Sequence, residues 1–258
     1  MGQHMQTSPS ASGNQARLPE IVIAGPTPRS ELASLVERTF STSWTGENSG
    51  KDDILDLEGM SGKRYRLFVN ALIAGLRDAR YLEIGVWAGS TFCSAIYQNS
   101  LRAVAIDNWS GFGGPRETFF SNLARFQGKS ASIEIIETDF RQVDFAQLGQ
   151  FNVYFYDGPH QERDQFDGLR LALPAMDERF VFIVDDWNWP AVRSGTLGAI
   201  EQLHLALEFS ISVRTTLDGS HPSHSGFDAK TTDWHNGYFF AVLKKPEAPQ
   251  IGEVTGKD

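Results

Sequence analysis

One repeated unit constrains this chain more than any other feature. A run that is apolar on both faces reaches an acid, and a helical pattern follows. The runs are "RYLEIG" (80–85), "RAVAID" (102–107), "SIEIIETD" (132–139), "FNVYFYDG" (151–158) and "FVFIVDDW" (180–187). Strands apolar on both faces are covered on both sides, as in parallel sheets. Helical spacing is expected over 90–99, 115–127, 161–173 and 195–207. Such alternation implies right-handed crossovers and a doubly wound α/β sheet. Two later runs, "EFSISVRTT" and "GYFFAVLKK", have no helical pattern between them and are expected to pair antiparallel at one edge. The expected architecture is therefore a mostly parallel, seven-stranded sheet with an antiparallel last strand.

Upstream, "PRSELASLVERTF" predicts a helix with Leu32, Leu35, Val36 and Phe40 on one face. The polar segment "STSWTGENSGKDDILDLEGMSG" follows without a period. A connection that long is more often a lid or binding segment than an inert link. A second helix is expected over "KRYRLFVNALIAGLRDA". Residues 1–20 and 246–258 read as disordered tails, 21–62 as an N-terminal helix with a lid segment, and 63–245 as one ligand-binding domain. A chain of 258 residues with 41% hydrophobic residues suits that plan.

In open α/β sheets, ligands bind beyond the carboxyl ends of the strands. Those ends carry Glu83 with Gly85, then Asp107, Asp139, Asp157, and the pair Asp185 and Asp186. One acid at a strand end is a cap or a turn residue; five in succession ask for more. Asp107 ends its run about twenty residues after the glycine turn, where a carboxylate accepts from both ribose hydroxyls. Gly85 and Gly89 let a ligand approach the backbone, and the following helix start offers free N–H groups. Asp139 is placed to accept from an exocyclic amine, and Trp109 to stack on a flat base. The spacing is E-x-G-x-x-x-G, not the G-x-G-x-x-G of dinucleotide binders. Asp157, Asp185 and Asp186 end adjacent runs and repel unless something cationic lies between them, which suits a hard divalent ion such as Mg²⁺. The plain alternative is one cap and one solvated acid. His160 follows Asp157 by three residues. Its ordinary pKa of about 6.5 suits a base, but a surface or helix-start histidine reads equally simply.

The net charge of −9 and the pI of about 5.2 leave no basic patch, so nucleic acid is not an expected partner. No run of roughly 18 apolar residues occurs, so no membrane span is expected. Cys93 is the lone cysteine, which excludes an intramolecular disulfide and fits a reducing, cytoplasmic setting. It reads as a small buried hydrophobe.

Together, "EIGVWAGS", "AIDNW", "ETDF", "YFYDGPH" and "IVDDWNW" resemble class I S-adenosylmethionine-dependent methyltransferases. The nearest likeness is to small metal-dependent O-methyltransferases of the macrocin and novobiocin sugar type. The resemblance spans about residues 60 to 245 and implies a Rossmann-like methyltransferase fold. It implies that Glu83, Gly85 and Gly89 hold the methionine part of the cofactor, helped by the hydroxyls of Ser90 and Thr91. Asp107 would bind the ribose, Asn108 and Trp109 would flank the adenosine, and Asp139 would meet the adenine amine. Asp157, Asp185 and Asp186 match the metal ligands, with Asp157 also beside the cofactor. His160 stands where the catechol type has a lysine base, so Asp157 and His160 are the expected catalytic residues.

The expected activity is methyl transfer to a hydroxyl of a small molecule, a sugar or a phenol, with S-adenosylmethionine and Mg²⁺. Two other readings are an NAD(P)-dependent oxidoreductase and a non-catalytic nucleotide-binding module. Met60, Ser61 and Tyr65 are placed to close over the cofactor or merely to cap a helix. Trp187, Asn188, Trp189 and Arg193 shape an acceptor pocket or pack the sheet edge. The insert "LDGSHPSHSGFDAKTTDWHN" carries His221, His224 and His235 at a spacing that does not suit zinc, so a solvated loop is expected. The apolar face of "GGPRETFFSNLARF" is part core, and a homodimer is an expectation for the rest.

Overall fold

The computed structural model describes residues 19–45, 50–222 and 234–247. The expected disordered tails therefore lie almost entirely outside the described residues, and His224 lies outside them too. The strands are β1 (Glu20–Ala24), β2 (Ala79–Ile84), β3 (Leu101–Ile106), β4 (Ala131–Ile136), β5 (Phe151–Tyr156), β6 (Met176–Val184), β7 (Ala206–Arg214) and β8 (Tyr238–Lys244). The helices are α1 (Glu31–Thr45), α2 (Asp52–Leu55), α3 (Lys63–Ala74), α4 (Ser90–Ile96), α5 (Arg116–Phe126), α6 (Glu162–Ala172) and α7 (Pro190–Gln202).

The strands form one sheet in the order β1-β7-β8-β6-β5-β2-β3-β4. β2 through β6 run parallel, and β8 is antiparallel to both β6 and β7. The seven expected strands are present, and β8 lies between β6 and β7. An eighth, β1, pairs antiparallel with β7 and takes the edge. Alternation decides the packing: Tyr81, Ala103, Val153, Phe155 and Ile183 face a core with Phe40, Phe68, Leu72 and Phe92. Leu82, Val104, Tyr154 and Phe182 face the other core, with Leu169, Val192 and Ile200. Each such fully buried apolar side chain contributes roughly 1.5–3 kcal/mol.

Several boundaries differ from the sequence expectation; α3 stops at Ala74 rather than 79 and α4 at Ile96 rather than 99. α1 runs on through Thr45 because Ser41, Thr42 and Ser43 donate their hydroxyls to carbonyls four residues back, keeping a polar stretch helical. α2 forms inside the segment expected to be a loop. α7 begins at Pro190, since proline suits the first helical position and lacks the N–H that would go unpaired there. No helix among the described residues is long and apolar enough to cross a membrane.

The chain builds β2, β3 and β4 outward in one direction, then returns to place β5 on the other side of β2. The crevice beyond the carboxyl ends of β2 and β5 is thus the topological switch point, where such sheets bind ligands.

Candidate functional site

A cavity of about 880 Å³ opens along that carboxyl edge. Its lining follows the strand order. Asp139 and Phe140 come after β4, Asp107 after β3, Gly85 after β2, Asp157 after β5, and Asp185 and Asp186 after β6.

Gly85 sits at φ 86, and a Cβ there would lie 2.0 Å from the Asp157 carbonyl oxygen. Only glycine lets β2 and β5 close at this point. Gly89, at φ 87, is required for another reason: its Cβ would meet the Phe119 ring at 2.9 Å. Asp107 ties two loops together. Its Oδ2 accepts from the Val86 and Trp87 N–H groups at 2.9 Å each, and its Oδ1 accepts from Trp109 N–H at 2.6 Å. A carboxylate has about four acceptor positions, so capacity remains for a ligand hydroxyl. Asn108 and Trp109 line the cavity beside it. The Trp109 ring packs against Phe119 and Phe120 at 5.4 and 6.0 Å, and its Nε1 donates to the Trp87 carbonyl. Asp139 lines the far end, accepts from Arg141 N–H and pairs with the Arg141 guanidinium.

Glu83 does not line the cavity. It is fully buried, accepting from the Tyr81 hydroxyl at 2.6 Å and from the Thr91 hydroxyl. Burial pushes its carboxyl up to about 8, against the lowering effect of those two donors. Ser90 is also turned inward, 3.0 Å from the Ser61 hydroxyl. Gly89, Ser90 and Thr91 thus build the wall behind Gly85 rather than the cavity surface. Arg66, buried, fixes the segment before α3 by donating to Ser61 Oγ and to the carbonyls of Ile54, Leu57 and Gly59. That segment presents Met60 to the cavity, while Tyr65 stacks on Tyr238 at 4.3 Å, inside the core.

The opposite end is acidic. The ligand atoms of Asp157, His160 and Asp186 lie within 4.8 Å of one another. Burial, then the charges of Asp185 and Asp186, push the Asp157 carboxyl well above the usual range. Asp185 is raised by burial and by Asp186, and its carboxylate is engaged by the Asp186 N–H at 2.7 Å and by the Tyr238 hydroxyl. Asp186 differs. Burial works to raise it, but His160, Asn236 and His235 outweigh burial and hold it below the usual range. His160 Nε2 lies 3.0 Å from Asp186 Oδ2, and Asn236 donates to Oδ1 at 2.6 Å. Asp186 sits at φ 56, a left-handed conformation uncommon for a residue other than glycine. The expected acid triad is therefore split: Asp157 and Asp186 converge with His160, and Asp185 backs them.

Asn236 and Asn188 are site-supporting residues that spacing alone did not single out for this role. Asn188 Nδ2 donates to Asn236 Oδ1 at 2.9 Å, and its Oδ1 accepts from Thr215 N–H. Trp187 is core, stacked on Phe239 at 4.2 Å, and Arg193 donates to the carbonyls of Trp187 and Asn188. Trp189 lines the cavity, edge-on to His160 at 5.1 Å. His221 and His235, expected in a solvated loop, also line it, with ring centroids 5.0 Å apart.

Residues 82–187 match the model of a family described as a methyltransferase domain. The match covers less than half of the 258 residues but includes every strand-end acid above. No curated protein matches the chain. Among solved structures, TrmN from Thermus thermophilus is similar at 15% identity and a TM-score of 0.49, over 77% of this chain and 53% of that one. The chain thus spans about half the length of that relative. The O-methyltransferase TomG from Streptomyces achromogenes, solved with S-adenosylmethionine, is similar at 16% identity and a TM-score of 0.48, over 84% and 92%. The methyltransferase PaMTH1 from Podospora anserina, solved with S-adenosylhomocysteine, is similar at 9% identity and a TM-score of 0.48, over 83% and 88%.

Proposed function

We propose that this chain is an S-adenosylmethionine-dependent O-methyltransferase acting on a hydroxyl of a small molecule. The observation that carries the reading is one cavity joining two chemistries. Gly85, Asp107 and Asp139 line a nucleoside-type end, and Asp157, His160 and Asp186 line an end that handles protons or cations. The methyltransferase family match over the same residues supports it.

Asp107 takes the ribose hydroxyls with its remaining acceptor capacity, and Asp139 the adenine amine. Gly85 lets the methionine part pass close to β2. Glu83, two residues earlier and buried, holds the start of α4 through Thr91. Methyl transfer from a sulfonium is an in-line displacement, so alignment and exclusion of water matter most. Trp189, His221 and Pro222 close the acceptor end. Arg141 is the one Lys or Arg among the described lining residues, and Asp139 and Asp164 neutralise it. Among the described lining residues a phosphorylated or nucleic-acid acceptor would meet mainly carboxylates, which favours a neutral hydroxylated molecule.

The residues fit a divalent cation. Asp157 and Asp186 offer hard oxygen donors, His160 a nitrogen, and no hydrogen bond from the described residues offsets the charges raising Asp157. Such an ion lowers the pKa of a coordinated hydroxyl and orients its oxygen. A second reading is favoured by the 3.0 Å contact between His160 and Asp186. There Asp186 holds Nε2–H and orients the His160 ring at the acceptor end, where histidine serves as the base.

Transfer of a labelled methyl group to a panel of hydroxylated acceptors, with and without EDTA, tests both. The account expects transfer to at least one neutral acceptor. Loss in EDTA with recovery in Mg²⁺ supports the ion. Full activity in EDTA, abolished in His160→Ala, supports the histidine. No transfer to any hydroxyl overturns the O-methyl reading.

A further inference from the structure

Two asparagines behind the acid cluster are wholly buried. Asn188 lies in the turn between β6 and α7, Asn236 lies just before β8, and each is 0% exposed. Buried amides must find donors and acceptors within the protein. Here the partners fix which end of each amide points where. Asn188 Oδ1 accepts from the backbone N–H of Thr215 at 2.9 Å and of Thr216 at 3.3 Å, and a backbone N–H can only donate. Asn188 Nδ2 gives one hydrogen to Thr215 Oγ1 at 2.8 Å. That hydroxyl uses its own hydrogen on the His235 carbonyl at 2.9 Å, so it accepts from Nδ2 and the bond cannot reverse. The second Nδ2 hydrogen goes to Asn236 Oδ1 at 2.9 Å. Asn236 is thereby turned with its Nδ2 toward Asp186 Oδ1, at 2.6 Å.

These bonds run in one direction, from the Thr215 and Thr216 backbone to Asp186. They deliver a donor to Oδ1 and leave Oδ2 as the oxygen that faces His160 Nε2, at 3.0 Å. The surrounding backbone is stitched to match: the N–H groups of Trp187 and Asn188 donate to the carbonyls of Gly237 and Asn236. Neither asparagine lines the cavity. Any effect they have on chemistry there passes through Asp186.

We propose that Asn188 and Asn236 are positioning residues for methyl transfer, a one-way amide relay that holds Asp186 with Oδ2 turned to His160 and the acceptor hydroxyl. The proposal rests on the O-methyltransferase reading of the cavity. Outer partners of this kind carry roughly 10- to 100-fold of a site's activity.

Asn188→Asp tests the relay most sharply. It keeps the shape of the side chain and the acceptor for both threonine N–H groups, and it loses the donor to Asn236. The Asn236 amide then turns its N–H to the new carboxylate and its carbonyl to Asp186. Labelled methyl transfer, titration of S-adenosylhomocysteine and the NMR signal of the Asn236 side-chain amide are compared in the wild type, Asn188→Asp, Asn236→Ala and the double variant. The expected result is a kcat at least tenfold lower in each single variant, with S-adenosylhomocysteine affinity within twofold of the wild type. The double variant is expected to lose no more than the single ones, because the two residues act in series. A shift of the Asn236 amide signal in Asn188→Asp is expected as well. If Asn188→Asp does not fold, the kcat and affinity of Asn236→Ala decide. A kcat within twofold of the wild type, or losses that multiply in the double variant, overturns the proposal. So does an Asn236 amide signal indifferent to Asn188→Asp. A wild type that binds S-adenosylhomocysteine but methylates no hydroxyl refutes the O-methyl reading, and the amide signal then decides the relay by itself.

Discussion

At the scale of single residues, environment separates acids that look alike in sequence. Glu83, Asp157, Asp185 and Asp186 all stand at or just beyond strand ends, yet Glu83 is pushed up to about 8 and Asp186 is held low. The Glu83 shift carries a pH prediction. The folded chain keeps that proton up to about pH 8, whereas an unfolded chain releases it at about 4.3. Between those values the folded state binds more protons, so its stability falls as pH rises. Glu83→Gln cannot titrate, and melts from pH 5 to pH 8 are expected to show a shallower decline than the wild type. An identical slope would mean that Glu83 is ionised throughout. The positions of these acids were legible in the sequence because strand ends are. Their division of labour was not. Which of Asp185 and Asp186 turns toward Asp157 depends on a left-handed backbone at Asp186 and on Asn236, fifty positions away.

At the scale of elements, the parallel pairing of β2 and β5 holds the site together. The Gly85 Cβ position, 2.0 Å from the Asp157 carbonyl, makes the two strand ends mutually dependent. Gly85→Ala is expected to cost about 3 kcal/mol and to lower the melting temperature by roughly 6–12 °C. Gly111→Ala, where a Cβ meets nothing within 4 Å, is the control and should change little. Equal melting of the two variants would contradict the strand-contact argument. The parallel strands were legible because both faces are apolar, a pattern that holds in β2, β3, β5 and the second half of β6, while β4, at the edge, exposes Ser132 and Glu134. β1 was not, because an edge strand of five residues bonded on one side carries no burial alternation: all its residues but Ile21 are exposed. Trp109, expected to stack on a flat base, lines the cavity half-buried, with Phe119 and Phe120 of α5 against its ring.

At the scale of the whole molecule, the sheet sorts its chemistry along one edge. The β3 and β4 side carries nucleoside-type acceptors, and the β5 and β6 side carries the convergent acids. The side chains of Tyr81, Glu83 and Thr91 form a buried, hydrogen-bonded wall between them. The overall charge of −9 is echoed in the cavity, where carboxylates outnumber cations. The central claim is that this cavity binds the methyl-donor cofactor through Asp107. Isothermal titration of S-adenosylhomocysteine and of NAD into the wild type and Asp107→Asn tests it most directly. The account predicts one site for S-adenosylhomocysteine, at least tenfold weaker in Asp107→Asn, and no binding of NAD. Binding of NAD without S-adenosylhomocysteine, or S-adenosylhomocysteine binding indifferent to Asp107, would contradict it.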